Sequence, residues 1–294
     1  MHSLEVVLKI TLVIFMIGNL LDMGLRLDLA RALRDLRDLR FAALSLLWGF
    51  VLLPALAWFI ARTVPMAPPY ATGLVLLGMT PCAPFLPPMV DRARGDIGYT
   101  AAFMLLASVV IVAYMPFVLP LLAKDLTADP WTIAKPLVLF LLVPLAIGVA
   151  VRRRALPLAQ KLHPVVKKVS AIDTILMLAL CLIVYGEGFL SLVGSYAIGA
   201  QIVFFTAATV LPYVLGFGMP RSQRIVMSLG MATRNLGAAL APLFAIHGVD
   251  HRAIVMVAMG VLMQATFSFA GATFYGRQFD VARGLPVSRG SGPA

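Results

Sequence analysis

The chain is dominated by apolar runs long enough to cross a bilayer, separated by short polar loops. They fall at about 6–25, 41–61, 71–90, 98–123, 134–151, 169–190, 195–217, 224–246 and 253–276. A helix of about 20 apolar residues spans the hydrocarbon core, and only helices or closed barrels satisfy their backbone groups there. Nine such runs predict an all-α polytopic membrane protein. Composition agrees: 13% of the residues are charged, against about 25% in soluble domains. A soluble enzyme is excluded. The first run carries Glu5 and Lys9 but no basic leader or small-residue cleavage site, so it reads as a retained span rather than a signal peptide.

Basic residues alternate between loops. Eighteen of the 24 Lys and Arg fall in one set, which includes Arg26–Arg40, Arg92, Arg94, Arg152–Arg154, Lys161, Lys167, Lys168, Arg221, Arg224, Arg277, Arg283 and Arg289. The other set holds Arg62, Lys124, Lys135 and Arg252. By the positive-inside rule the N-terminus is expected outside and the C-terminus in the cytoplasm, with the chain in the inner (plasma) membrane. The net charge of +11 is therefore a topology signal, and lipid rather than nucleic acid is the implied surroundings. Residues 1–276 are expected to form one transmembrane domain, with a first repeat over about 1–124 and a second over about 130–276. The tail 277–294, rich in Gly, Pro, Arg and Ser, reads as disordered.

The repeats rest on internal echoes. Leu77-Gly78-Met79 recurs as Leu229-Gly230-Met231, and Leu53-Pro54 as Leu211-Pro212, each pair five spans apart. An odd offset inverts one copy relative to the membrane, and inverted repeats with interrupted helices point to a secondary transporter.

Two stretches can carry chemistry. Pro81, Pro84, Pro87 and Pro88 crowd the third run, and each removes a backbone donor and clashes with the preceding turn. Freed backbone cannot face lipid, so the break lines a cavity or is packed by neighbours. In the eighth run, Arg234 lies near the bilayer midplane, where a charged side chain needs compensation. It reads either as a structural group bonded to loose carbonyls or a buried acid, or as a fixed cation facing an anionic substrate through its planar fork of donors. Thr233 and Asn235 add polar groups beside it. Asp22 and Asp173 are placed near span ends, within reach of loop arginines. Cys82, inside the break, is an inert small residue or a soft ligand; it and Cys181 make no disulfide framework and no metal motif. All four histidines fall outside the runs, and Asp35 and Asp38 alternate with arginines as a self-paired helix. No catalytic set and no metal site is expected.

Three motifs point to a family. Met23-Gly24-Leu25-Arg26-Leu27, Ala93-Arg94-Gly95-Asp96 and Thr233-Arg234-Asn235-Leu236-Gly237 resemble, in order and placement, signatures of the bile acid:sodium symporter family, over about residues 5–276. The resemblance implies two inverted repeats, one lacking its first helix, with two broken helices crossing beside the substrate and sodium sites. It also implies panel and core units that move against each other. Residue by residue, the sodium ligands carry over poorly. The family's Ser-Asn pair falls on Leu86 and Pro87, its bridging Glu on Gly230, and its two Gln on Arg234 and Gly49. One hydroxyl ligand falls on Met104, while Thr100 and Asn235 match; with Gln264 these are the remaining cation-site candidates. An Arg cation opposes a bound sodium by Coulomb repulsion.

The expectation is a secondary transporter of a small organic anion, bile-acid-like or another carboxylate or sulfonate. Arg234, Thr233, Asn235, Cys82, Pro84 and Pro87 are its candidate binding residues, and Na+ or H+ is the possible coupling ion. Two alternatives are an arsenite exporter using Cys82, like the related arsenite permeases, and a membrane sensor with this fold but no flux. The sequence sets no oligomeric state.

Overall fold

The computed structural model describes residues 2–123, 129–246 and 248–282. Lys124, Arg283, Arg289 and the tail beyond Ala282 lie outside the described residues, as does His247. Helix α1 (His2–Arg26) crosses first and α2 (Leu29–Asp35) follows it. Helices α3 (Leu39–Leu47) and α4 (Leu53–Thr63) form one span, joined through a π-helical segment at Trp48–Leu52. Next, α5 (Pro68–Met79) and α6 (Leu86–Arg92) are the halves of a span broken at 80–85. Helix α7 (Ile97–Leu122) is continuous, whereas α8 (Pro130–Leu137) and α9 (Val143–Arg154) join through a second π-helical segment at Val138–Leu142. Helices α10 (Leu156–Val184), α11 (Gly186–Leu190) and α12 (Ala197–Val214) come next. The second broken span is α13 (Arg221–Ala232) and α14 (Leu236–Ala245), interrupted at 233–235; α15 (His251–Ala282) completes the described chain.

The protein is thus an all-helical polytopic membrane protein. Among the described residues, six segments are long and apolar enough to cross by themselves. The broken pairs and α10, with lysines in its first half, supply the other three expected crossings.

Three details differ from the sequence expectation. Helix α10 begins at Leu156 rather than near 169, because Pro157 occupies the first turn, where a missing N–H is harmless. Asp173 and His163 therefore lie inside a helix, not at a span end or in a loop. Helix α15 continues six residues past 276: Arg221 Nη2 donates to the Tyr275 carbonyl and its guanidinium covers the Phe279 ring. The Leu53-Pro54 echo also falls elsewhere in structural terms. Pro54 and Pro144 each follow a π-helical segment, whereas Pro212 sits inside a regular helix. The wider π turn accommodates the lost donor and the ring.

The helices pack in two groups. Helices α1, α9 and α10 form a three-helix unit. Gly24 and Gly148 set its α1–α9 crossing, since a Cβ on Gly24 would lie 2.9 Å from the Gly148 Cα. Small residues allow such approach where hydrophobic burial does not drive helix association. The two broken spans, α3–α4, α7, α12 and α15 form the second group.

The basic loops converge on one end of the molecule. Asp38 Oδ1 caps α3 through the Phe41 N–H, and its Oδ2 accepts from Tyr99 Oη at 3.0 Å and Gln223 Nε2 at 3.1 Å, joining α3, α7 and α13. Burial pushes the Asp38 carboxyl up, but the bonds from Phe41, Tyr99, Gln223 and the Arg40 N–H outweigh it and hold the group below its usual range. At the opposite end the two groups touch through Tyr70 Oη and Ser191 Oγ at 2.5 Å and through stacked Tyr185 and His251 rings.

Candidate functional site

The two breaks cross each other and pair. Pro81 and Arg234 form an antiparallel bridge. Asn235 N–H donates to the Thr80 carbonyl at 2.8 Å, and Cys82 N–H to the carbonyls of Thr233 at 2.9 Å and Gly230 at 3.1 Å. Thr233 Oγ1 accepts from Ala83 N–H and donates to the Gly230 carbonyl, both at 3.2 Å. Backbone released from both helices is thus satisfied inside protein, as the hydrocarbon layer requires. The crossing holds Cys82 at φ +76°, a left-handed backbone that a residue with a Cβ rarely adopts.

Arg234 is fully buried. Its main-chain N–H donates to Gln264 Oε1 at 2.6 Å. Its guanidinium donates to the carbonyls of Gly78, at 3.5 Å, and Met231, and lies 4.9 Å from the Phe204 ring centroid. Gly78 is in the last turn of α5 and Met231 in the last turn of α13, so the cation sits where two helix C-termini converge. That end of a helix carries partial negative charge. Among the described residues no carboxylate pairs with it, and its Nε has no partner. Of the two sequence readings, the bonding to loose carbonyls is what the structure displays.

A cavity of about 780 Å³ opens between the three-helix unit and the crossing. Its wall includes Asn19, Asp22 and Arg26 of α1 and Lys167, Ser170 and Thr174 of α10. Across from them lie Pro84, Phe85, Pro87 and Pro88, then Asn235, Leu236 and Gly237, and Gln264 of α15. Pro84, Pro87 and Asn235 thus line one cavity. Arg234 backs the same wall, but its fork turns toward Gly78, Met231 and Phe204, which do not line the cavity. Thr233 and Cys82 are committed to the crossing and do not line it either. Of the cation-site candidates, Asn235 and Gln264 share the cavity wall, whereas Thr100 does not line it, and each has its oxygen engaged. Thr100 Oγ1 donates to the Asp96 carbonyl at 2.7 Å, Asn235 Oδ1 accepts from Ala238 N–H, and Gln264 Oε1 accepts from Arg234. Among the described residues, no group of three or more His, Cys, Asp or Glu could hold a metal.

The helix ends facing the cavity differ. Helix α14 begins here, capped by Asn235, and the N–H groups of Leu236 and Gly237 in its first turn have no acceptor within the helix. Helix α6 begins here too, but Pro87 and Pro88 have no N–H to offer. Asp22 pairs with an arginine of the basic loop set, accepting from Arg26 at 2.7 Å, and Arg26 Nη2 reaches across to the Pro84 carbonyl at 3.3 Å. Sequence reasoning missed the third member of this group, His163, whose Nδ1 meets Asp22 at 2.6 Å. The signal was the apolar spacing between Leu156 and Val169, which continues the helix through His163.

Comparison with known proteins agrees with this architecture. The sequence profile of the Sodium Bile acid symporter family matches residues 12–192. A probable chloroplastic sodium/metabolite cotransporter of Arabidopsis thaliana, BASS1, is 25% identical over 232 residues, covering 76% of this chain and 57% of that protein. A second, BASS3, is 22% identical over 242 residues, covering 81% and 56%. The chain spans a little over half the length of these curated relatives.

Proposed function

Because the chain belongs to the sodium bile acid symporter family, we propose that it is a secondary transporter that carries a small organic anion across the inner membrane by alternating access. Residues 1–276 form the transporter, as two inverted repeats over about 1–124 and 130–276, with the N-terminus outside and the basic end in the cytoplasm. The three-helix unit moves against the crossing. The arrangement described above is open at the basic end, where Asp22, Arg26, Asp91 and Lys167 lie in the cavity wall, and sealed at the other by Tyr70, Ser191, Tyr185 and His251.

The observation that carries this reading is the charge at the crossing. In the cavity wall, Asp22 and Asp91 balance Arg26 and Lys167, and Arg234 remains as one positive charge without an acid partner. A monoanion against the first turn of α14 completes the balance. Leu236 and Gly237 N–H groups and Asn235 supply its donors, and the helix N-terminus favours its charge. Pro84, Phe85 and Pro87 shape the opposite wall. Arg234 acts from behind, holding the crossing together and setting its potential.

The same arrangement disfavours sodium at the crossing, because a guanidinium already occupies the two helix C-termini. Where the family's bridging Glu maps, a Cβ on Gly230 would overlap the Phe103 ring. At Gly49 a Cβ would meet Pro81 and Met231 at 3.2–3.3 Å. Transport is therefore independent of sodium at this place. The test is a thermal-shift screen of carboxylates and sulfonates on the purified protein. The hit is expected to lose its effect in Asn235→Ala; an undiminished shift in that variant removes the α14 terminus from binding.

A further inference from the structure

We propose that Asp173 binds the proton that is coupled to transport, an assignment that rests on the transport reading above. The early start of α10 is what places this residue. Asp173 lies eleven residues before the end of α10, about 16 Å along its axis at 1.5 Å per residue. His163, Ser170, Asp173 and Met177 share one face of α10 by their spacing. That face lies on α1: His163 bonds Asp22, and Ser170 Oγ fills the space beside Gly18. As α10 ascends from 163 to 170, α1 descends in number from 22 to 18, so Asp173 falls opposite the next turn of α1, deep within the Leu4–Arg26 span.

There Asp173 is 6% exposed, its carboxyl group has no hydrogen-bond or ion-pair partner among the described residues, and Oδ2 is buried. The charged and titratable groups on the elements packed against α10 lie toward its ends. At the basic end these are Asp22 and Arg26 of α1, Arg152–Arg154 of α9, and Tyr275, Arg277 and Asp280 of α15. At the far end they are Glu5 and Lys9 of α1, Glu187 of α11, and His251 and Arg252 of α15. Those on α10 itself are Lys161, His163, Lys167 and Lys168 before Asp173, and Cys181 two turns beyond it; none is bonded to it. A bare carboxylate in this setting is costly, and intramembrane acids of this kind mark ion and proton pathways. A metal cation needs several oxygen ligands, and Asp173 has no second acid beside it. A proton needs only the carboxylate.

The site also lies beside the transport path. Ser170, one turn earlier on the same face, and Thr174, next to Asp173, line the cavity, and Ser170 Oγ is buried without a partner. Loosening of the α1–α10 contact at Gly18 and Ser170, as the three-helix unit moves against the crossing, lets cavity water reach the acid. The O–H bond of the acid breaks, the proton passes to water, and the carboxylate takes one back when the unit returns; no other reactant is needed.

The experiment is infrared spectroscopy of the full chain in lipid, without sodium, as pH is raised from mildly acid to mildly alkaline. The wild type is expected to show the carbonyl stretch of a protonated carboxyl group at neutral pH. That band should be absent in Asp173→Asn and shifted but present in Asp173→Glu, which guards against a variant that fails to fold. Superimposable spectra of wild type and Asp173→Asn overturn the assignment. A sodium-specific thermal stabilisation that Asp173→Asn abolishes also overturns it, in favour of a cation there. A second arm encloses a pH dye in liposomes and adds alkyl sulfonates and hydroxylated carboxylates outside, with protein-free liposomes as the baseline. Proton entry with the anion is expected in wild type and lost in Asp173→Asn. Equal entry in both overturns the coupling. A wild type that shows the band yet moves no proton overturns the transport reading while leaving the proton on Asp173.

Discussion

The two breaks have the same backbone plan and opposite chemistry. Each follows a Leu-Gly-Met in the last turn of a half-helix, and each hands its freed groups to the other. The first break, at 80–85, removes donors: Pro81, Pro84, Pro87 and Pro88 leave few N–H groups to satisfy, and the chain turns through a left-handed Cys82. The second, at 233–235, keeps every donor and finds each a partner, then adds a cation and an Asn cap. One break therefore shapes the cavity and the other charges it. In the transport reading proposed above, the anion goes to the α14 N-terminus because that terminus retains its donors, whereas α6 begins with Pro87 and Pro88.

The largest expected effect is on Arg234. Arg234→Gln withdraws donors from the Gly78 and Met231 carbonyls, and a buried group left unpaired costs about 1–3 kcal/mol. Thermal unfolding in detergent should fall by an amount in that range or above, and anion stabilisation should vanish with it. A variant as stable as wild type would mean the guanidinium does not hold the crossing. Asn235→Ala follows, with a loss of about 1 kcal/mol for a removed N-cap and weakened anion binding, read by the same two assays. In the first break, Thr80→Val should cost stability alone, since Thr80 Oγ1 donates only within its own helix, to Leu76 and Leu77. Loss of anion binding there would erase the distinction between the breaks.

Much of this was legible in the sequence. Apolar runs yielded nine crossings, because in lipid the backbone has few options. Four prolines and a lone intramembrane Arg located both breaks. What stayed hidden was direction. Arg234 is conspicuous as a letter, but whether its fork faces the cavity or the helix C-termini depends on Phe204, thirty residues away. The start of α10 was obscured because lysines and His163 mimic a loop, and with it went the depth of Asp173 and the Asp22–His163 contact. Chain partition into a three-helix and a larger group is a matter of packing, not of local pattern.

Two smaller effects sharpen the comparison further. Replacing Pro87 and Pro88 together by Ala restores N–H groups to the α6 terminus. Affinity for the anion found in the screen should not rise, because these prolines shape the wall opposite the α14 donors and supply no charge. A large gain would show that the first break can bind as well. Smallest is Asp38. Its carboxyl titrates below the usual value in the folded chain, so its contribution is present above the unfolded value near pH 4 and lost as pH falls through the lower, folded one. Asp38→Asn should therefore lie below wild type at neutral pH and converge with it in strong acid. Parallel curves would remove the α3–α7–α13 clamp from the account.

The central claim is that a covalent cation stands at the crossing in place of a bound one. It is tested most directly by the thermal stability of purified protein in Na+ against choline at equal ionic strength. A ligand bound only by the folded state adds about 2.7 kcal/mol at 100 times its Kd, which such a comparison resolves easily. The account predicts coincident melting in the two salts for wild type. A sodium-specific rise that persists in Asp173→Asn would contradict it, because the ion would then be binding beside Arg234.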